Sequence, residues 1–139
     1  MQYTSATLIV NRAARGVAGR LPEPERAVRY LRARGLAARL ELPASALAAT
    51  RAAAASAARH DDLLFVAGGD GSLRDAALGL AGSATALAAL PAGTVNVWAK
   101  ETNLPPGIRA SLDAHLGGQV VRVDLGRAAE TCFLLMASL

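Results

Sequence analysis

Five consecutive residues, Gly68-Gly69-Asp70-Gly71-Ser72, combine bare backbone with a carboxylate and a hydroxyl. They follow an apolar run from Leu63 to Ala67. They precede Leu73, Ala76, Ala77 and Leu80, which recur at the spacing of one buried helix face. Strand, glycine-rich turn and helix in that order present unhindered N–H groups and a helix N-terminus at the carboxyl end of a strand, which suits phosphate. Asp70 is the acidic exception. A carboxylate beside phosphates is repulsive unless a metal bridges them or a hydroxyl proton is to be removed. The alternative is an ordinary Asp-Gly turn in which Asp70 bonds its own backbone; spacing alone leaves both open.

A second stretch, Leu90-Pro91-Ala92-Gly93-Thr94-Val95-Asn96, also ends an apolar strand in a glycine-containing turn. A third strand, Ala6 to Val10, closes on Asn11. In an open parallel sheet such turns lie along one edge, where ligands bind. Gly68 to Ser72, Gly93 to Asn96 and Asn11 are therefore expected to converge, with hydroxyls from Ser72 and Thr94 and amides from Asn11 and Asn96. Two familiar nucleotide signatures fail. No lysine follows Gly71, as a P-loop requires. Arg74 stands where the dinucleotide fingerprint needs its third glycine, and Leu90-Pro91 occupies the place of the ribose-binding acid. Hydride transfer is disfavoured.

The elements that must hold these turns alternate. Ala6 to Val10 predicts a buried strand. Pro22, Glu23, Pro24 and Glu25 predict a helix start, with Ala27, Val28 and Leu31 inward and Gly35 as its end. Ala38 to Leu42 predicts a strand nearer the sheet edge. The alanine-rich stretch from Ser45 to Arg59 predicts a helix, with Leu47 its only large apolar side chain; it is expected to be the least firmly anchored. His60-Asp61-Asp62 is the turn into the Leu63 strand. A helix from Leu73 to about Ala81, a strand over Ala86 to Leu90 and a helix over Ile108 to Leu116 follow. Gln119 to Leu125 predicts a strand, Gly126 to Glu130 a turn, and Thr131 to Ala137 a last strand. The order βαβαβαβ, then αββ, implies a Rossmann-like α/β fold: a parallel sheet with helices on both faces.

The 139 residues suffice for one domain, taken as 1–139, with a core of Ala, Leu and Val, because only 4% is aromatic. The net charge is +4 and Lys100 is the only lysine. That balance favours anionic partners such as nucleotides or acidic lipid surfaces, although arginines on solvated helix faces are the simpler account of it. Aromatics interleaved with basic residues are missing, so nucleic acid is not expected as a partner. Cys132 stands alone in an apolar run, and His60 and His115 have no metal-ligand spacing, so no metal ligand set is expected from protein side chains. No basic segment precedes an apolar one at the start, and glycines and Pro91 interrupt the uncharged run from Ala76 to Ala99. A cytoplasmic protein with peripheral membrane contact is expected.

Gly68-Gly69-Asp70-Gly71-Ser72, followed by Leu90-Pro91-Ala92-Gly93-Thr94-Val95-Asn96-Val97-Trp98-Ala99-Lys100, resembles the diacylglycerol kinase catalytic domain of diacylglycerol, sphingosine and bacterial lipid kinases. Ile9-Val10-Asn11, Val123-Asp124-Leu125-Gly126 and Phe133-Leu134-Leu135-Met136-Ala137 extend the likeness, with Arg12 where the family has proline. NAD kinases and phosphofructokinases share the glycine-aspartate turn. The former follow with an Asn-Glu pair and the latter with an aspartate-rich motif, and neither is present here. The resemblance implies ATP and Mg2+ as cofactors and transfer of the γ-phosphoryl group to a lipid hydroxyl. It casts Gly68, Gly69, Gly71 and Ser72 as the phosphate loop. Asn11, Thr94 and Asn96 would line the nucleotide pocket, and Asp70 would be the catalytic carboxylate that acts on the acceptor hydroxyl or helps to organise magnesium. Asp75 falls where the family has an acidic residue, without a clear role.

In that family the chain continues into a β-sandwich domain that holds the lipid. The expectation is therefore of the nucleotide-binding half, inactive alone, whose apolar end at Phe133 to Leu139 could pair two copies. The rival is a stand-alone, non-catalytic nucleotide-binding or interaction module.

Overall fold

Apolar strands alternate with helices that carry one apolar face, and the chain folds accordingly. The computed structural model describes residues 3–11, 23–91, 107–120, 126–128 and 131–133. The elements are β1 (Ser5–Val10), α1 (Pro24–Ala33), β2 (Ala37–Glu41), α2 (Ala46–Ala58), β3 (Leu63–Gly68), α3 (Asp70–Leu80), β4 (Ala86–Pro91) and α4 (Ile108–Leu116). A short antiparallel pair, β5 (Gly126–Ala128) and β6 (Thr131–Phe133), comes last. The first four strands form one parallel sheet in the order β2-β1-β3-β4. This is the α/β architecture that the alternation predicts.

The strand order decides where the helices go. β1 to β2 is a step in one direction, whereas β2 to β3 jumps back across β1 and β3 to β4 continues that way. Right-handed crossovers therefore place α1 on one face and both α2 and α3 on the other. On the first face Ala6, Leu8, Val10, Phe65 and Leu90 pack against Ala27, Val28 and Leu31 of α1 and Leu112 and Leu116 of α4. On the second, Ile9, Leu64, Val66 and Ala89 pack against Ala53, Leu73, Ala76 and Leu80. The direction reverses between β1 and β3, which opens a crevice at their carboxyl ends.

α2 is held more closely than its alanines suggest. Its large side chain, Leu47, is 59% exposed and contributes little. The small residues Ala49, Ala53 and Ser56 are buried instead and bring α2 against α3. A Cβ on Gly79 of α3 would lie 2.3 Å from the Thr50 carbonyl oxygen and 2.8 Å from both Ala53 Cβ and Ala54 N. Thr50 Oγ1 donates to the Asp75 carbonyl at 2.8 Å. Backbone approach thus replaces large apolar side chains as the means of anchoring.

The amino edge of the sheet is tied by two carboxylates. Asp62 Oδ2 accepts from Thr4 N at 2.7 Å and Ser5 N at 3.3 Å, and the Thr4 N–H foremost holds the Asp62 pKa below its usual range. Asp61 Oδ2 accepts from Thr7 Oγ1 and Ser56 Oγ, each at 2.7 Å, and from Arg59 Nη2 at 3.2 Å. Burial alone would raise the Asp61 pKa; these donors and the Arg59 charge outweigh it and hold the carboxyl low.

Both outer strands of the four-stranded sheet have a carbonyl covered. Arg32 Nε and Nη2 donate to Ala38 O of β2 at 3.1 and 2.8 Å. On β4, His115 Nε2 lies 2.7 Å from Ala89 O, and Ser111 Oγ lies 3.4 Å from the same atom. A carbonyl only accepts, so His115 carries its proton on Nε2. Burial pushes the imidazole pKa below its ordinary value, against the pull of that carbonyl.

Two expectations near the end of the chain change. Gly126–Ala128 is not a turn but a strand, in register with Thr131–Phe133 through Arg127 opposite Cys132. Gln119 and Val120 lie in no strand, and the rest of that expected strand, 121–125, falls outside the described residues. So does Leu134 to Leu139.

Candidate active site at the carboxyl edge

β1 and β3 run side by side, with Ile9 opposite Val66 and Val10 opposite Ala67. The Asn11 N–H continues that ladder to Ala67 O at 3.2 Å. Asn11 is thereby fixed at the mouth of the crevice, one strand away from Gly68. Its Nδ2 donates to Ser72 Oγ at 3.0 Å and bridges the two strand ends where the topology reverses.

α3 starts at Asp70, three residues earlier than the apolar spacing predicts. Of the residues read as a turn, Gly68 ends β3, Gly69 caps the helix, and Asp70, Gly71 and Ser72 belong to its first turn. The reason is local. Gly69, extended at φ −90° and ψ −170°, is the N-cap, and a carboxylate and a hydroxyl suit the first positions beside the positive end of the dipole. A glycine cap offers no side-chain acceptor to the leading N–H groups, which leaves that role to another acceptor. Asp70 is half-buried, Gly71 exposed and Ser72 buried.

The glycines divide their duties. A Cβ on Gly68 would lie 2.6 Å from Ser72 Oγ and 2.7 Å from Ser72 Cβ, so Gly68 makes room for the hydroxyl that Asn11 holds. A Cβ on Gly71 would meet no atom within 4 Å. Gly71 is thus the position where backbone faces outward without internal need of a glycine. Asp75, one turn further on, is buried. Its Oδ1 is 3.3 Å from Arg74 Nη2 and its carbonyl is held by Thr50, so it joins α3 to its surroundings.

Asn11, Gly68, Gly69, Asp70, Gly71 and Ser72 are therefore brought together. Thr94 and Asn96 lie outside the described residues, as does the rest of 92–106. Pro91 stands in register with Gly68, so β4 delivers the chain to that stretch beside the glycine turn. Three features escaped the sequence reading: the Asn11–Ser72 bond, the internal reason for Gly68, and the part of Asp61 and Asp62 at the opposite edge. Asn11 and Ser72, Asp61 and Thr7, and Asp62 and Ser5 are each more than fifty residues apart in sequence, and the Gly68–Ser72 approach depends on where α3 begins, so no local pattern announces them.

Residues 5–128 match the family described as diacylglycerol kinase catalytic domain. The chain belongs to that family. The match favours it over the NAD kinases and phosphofructokinases that share the glycine-aspartate turn. Among curated relatives, a diacylglycerol kinase of Staphylococcus saprophyticus is 35% identical over 92 residues, 65% of this chain and 30% of its own length. A diacylglycerol kinase of Staphylococcus aureus is 33% identical over 88 residues, 60% of this chain and 28% of its own length. A crystal structure of a Bacillus anthracis diacylglycerol kinase superposes with a TM-score of 0.74 at 25% identity, covering 96% of this chain and 47% of that one. This diacylglycerol kinase-family chain thus spans less than half the length of the proteins it matches. No helix among its described residues is long and apolar enough to cross a membrane.

Proposed function

We propose that the chain is the ATP-binding part of a lipid kinase, with its nucleotide seated on the carboxyl edge between β1 and β3. The observation that carries this is the Asn11–Ser72 bridge, which joins the strand ends at the topological reversal directly beside a glycine-capped helix N-terminus. The donor set fits polyphosphate: leading N–H groups of α3, an open approach at Gly71 and a dipole of favourable sign. It also fits magnesium in one specific way. Among the described residues no group of three or more acidic, His or Cys side chains gathers as a metal cage. Mg2+ in kinase sites typically takes one or two carboxylates together with substrate phosphates, and Asp70 offers one.

Bound Mg·ATP would supply the γ-phosphoryl group. Within this chain Asn11 and Ser72 hold the shape of the pocket, and Gly69 and Gly71 keep side chains away from the phosphates. Asp70 either accepts the proton of the lipid hydroxyl or helps to hold magnesium. Thr94 and Asn96 are assigned to the same pocket from the stretch that follows Pro91. The lipid site, peripheral membrane contact and any pairing of copies are assigned to the greater length of the family's proteins. By itself the chain would bind ATP and transfer little or nothing.

Calorimetric titration with Mg·ATP tests the reading. Binding in the range up to millimolar nucleotide is expected, weakened about tenfold in Asn11→Ala through loss of the bridge. No heat at millimolar Mg·ATP would remove the nucleotide site from this edge.

A further inference from the structure

The sheet has a second, chemically distinct end. At its amino edge Ser5, Arg32, Ala37, Ala38, Arg39, Arg59 and Asp61 line an open groove of about 810 Å3. Ser5 and Ala37 are the first residues of β1 and β2, so this groove and the Asn11–Ser72 bridge lie at opposite ends of the strands. A six-residue strand separates them by about 17 Å.

Three arginines and one aspartate line the groove, and that carboxylate is already committed. Asp61 Oδ2 accepts from Thr7, Ser56 and Arg59. The Arg39 side chain is exposed and makes no hydrogen bond or ion pair among the described residues. Arg32 spends Nε and Nη2 on Ala38 O, which leaves Nη1. Arg59 donates from Nη2 to Thr7 Oγ1 at 2.9 Å, while its Nε is buried without an acceptor. A buried N–H without an acceptor is costly, and an oxyanion brought within its reach would satisfy it.

We propose that this groove is a second anion site, which takes a phosphate group attached to a small polar moiety. Guanidinium forks match phosphate oxygens in geometry and charge. The volume falls within the range of small-molecule pockets. The remaining lining residues are serine and alanines, with no aromatic ring to stack a base, so a phosphorylated headgroup-sized molecule fits and a nucleotide does not. The phosphate can come from a soluble compound or from an anionic lipid headgroup, and the chemistry of recognition is common to both.

The test uses the 15N-labelled chain and its Arg39→Gln variant. Arg39 is exposed and outside the Asp61 network, so the variant is expected to melt like the parent. Inorganic phosphate should shift the amides of Ala37 to Arg39 and the Arg59 Nε–H, with affinity about tenfold lower in Arg39→Gln. Co-sedimentation with phosphatidylcholine vesicles, with and without phosphatidylglycerol, distinguishes the sources. Arg39-dependent binding to the anionic vesicles alone assigns the site to a headgroup. Phosphate shifts at β2 without vesicle binding assign it to a soluble phosphate compound. Absence of shifts at β2, or shifts of equal affinity in Arg39→Gln, overturns the proposal. Shifts at Gly68 to Ser72 report separately on the carboxyl edge, so the two readings can fail independently.

Discussion

Replacing Gly79 with alanine probes whether backbone approach is what anchors α2. The new methyl carbon would sit 2.3 Å from the Thr50 carbonyl oxygen and 2.8 Å from Ala53 Cβ and Ala54 N. Non-bonded carbon prefers separations near 3.5 Å, so α2 and α3 must part by about 1 Å. Two of the three obstacles are backbone atoms, which no rotamer change can move aside. Overpacking of this kind costs up to about 3 kcal/mol. The better helix propensity of alanine returns about 1 kcal/mol. A net loss of about 2 kcal/mol follows, or roughly 8 °C in melting temperature for a domain of this size. Thermal and urea unfolding followed by circular dichroism read it directly, with the urea slope unchanged. The same substitution at Gly71, on the same helix, meets no atom and should instead gain about 0.5 kcal/mol. Should Gly79→Ala prove as stable as the parent, the close α2–α3 contact does not hold the fold together. The separation would also tilt the first turn of α3, so Mg·ATP binding is expected to weaken with it.

Gly71→Ala is expected to pair that small gain in stability with weaker Mg·ATP binding; unchanged affinity would take the phosphates away from Gly71. Gly68→Ala and Ser72→Gly should each destabilise, yet the double variant should be about 1 kcal/mol more stable than the sum predicts, because the clash vanishes with the hydroxymethyl group. An additive cycle by urea unfolding would show that the two do not touch. Asp70→Asn, assayed in a chain that spans the family's greater length, should lower the proposed phosphoryl transfer at least about a hundredfold. Its stability should change by no more than about 1 kcal/mol, and a near-parental rate would remove the catalytic assignment. Acid should lower the stability of the chain in two stages, one in each of two pH windows. His115, half-buried and held neutral, contributes stability present above its unfolded pKa of 6.5 and lost as pH falls below it. Asp61 and Asp62, with depressed pKa values, contribute stability present above 3.8 and lost as pH falls through their lower folded values. His115→Asn should abolish the first stage; Asp61→Ala should cost about 3 kcal/mol at pH 7 and flatten the second. A single stage unaltered by either substitution would contradict both assignments.

The alternation of Leu63 to Ala67 with the Leu73, Ala76, Leu80 face was enough to read strand, turn and helix, because period and burial coincide there. The same logic placed Ala27, Val28 and Leu31 against the sheet. It misplaced the start of α3, since Asp70, Gly71 and Ser72 carry no apolar period and only the extended Gly69 cap marks the boundary. It underrated α2 for a related reason. Alanines declare helix but not contact, and Gly79, the residue that admits them, belongs to another element. The gathering of Asn11 with Gly68 to Ser72 was legible because a parallel sheet sends all its βα turns to one edge. The bond between Asn11 and Ser72 was not, since sequence reports proximity of elements and not which donor meets which acceptor.

The arginine over Ala38 O and the imidazole over Ala89 O have a consequence beyond the stability of single bonds. In a parallel strand alternate residues turn both polar backbone groups outward, and a foreign strand docks by capturing them in succession. Each margin of this four-stranded sheet has one such carbonyl already occupied by a side chain from a flanking helix. An incoming chain would first have to evict a guanidinium on one side or an imidazole on the other. The sheet therefore limits its own lateral growth, and it does so with residues that the carboxyl edge does not use.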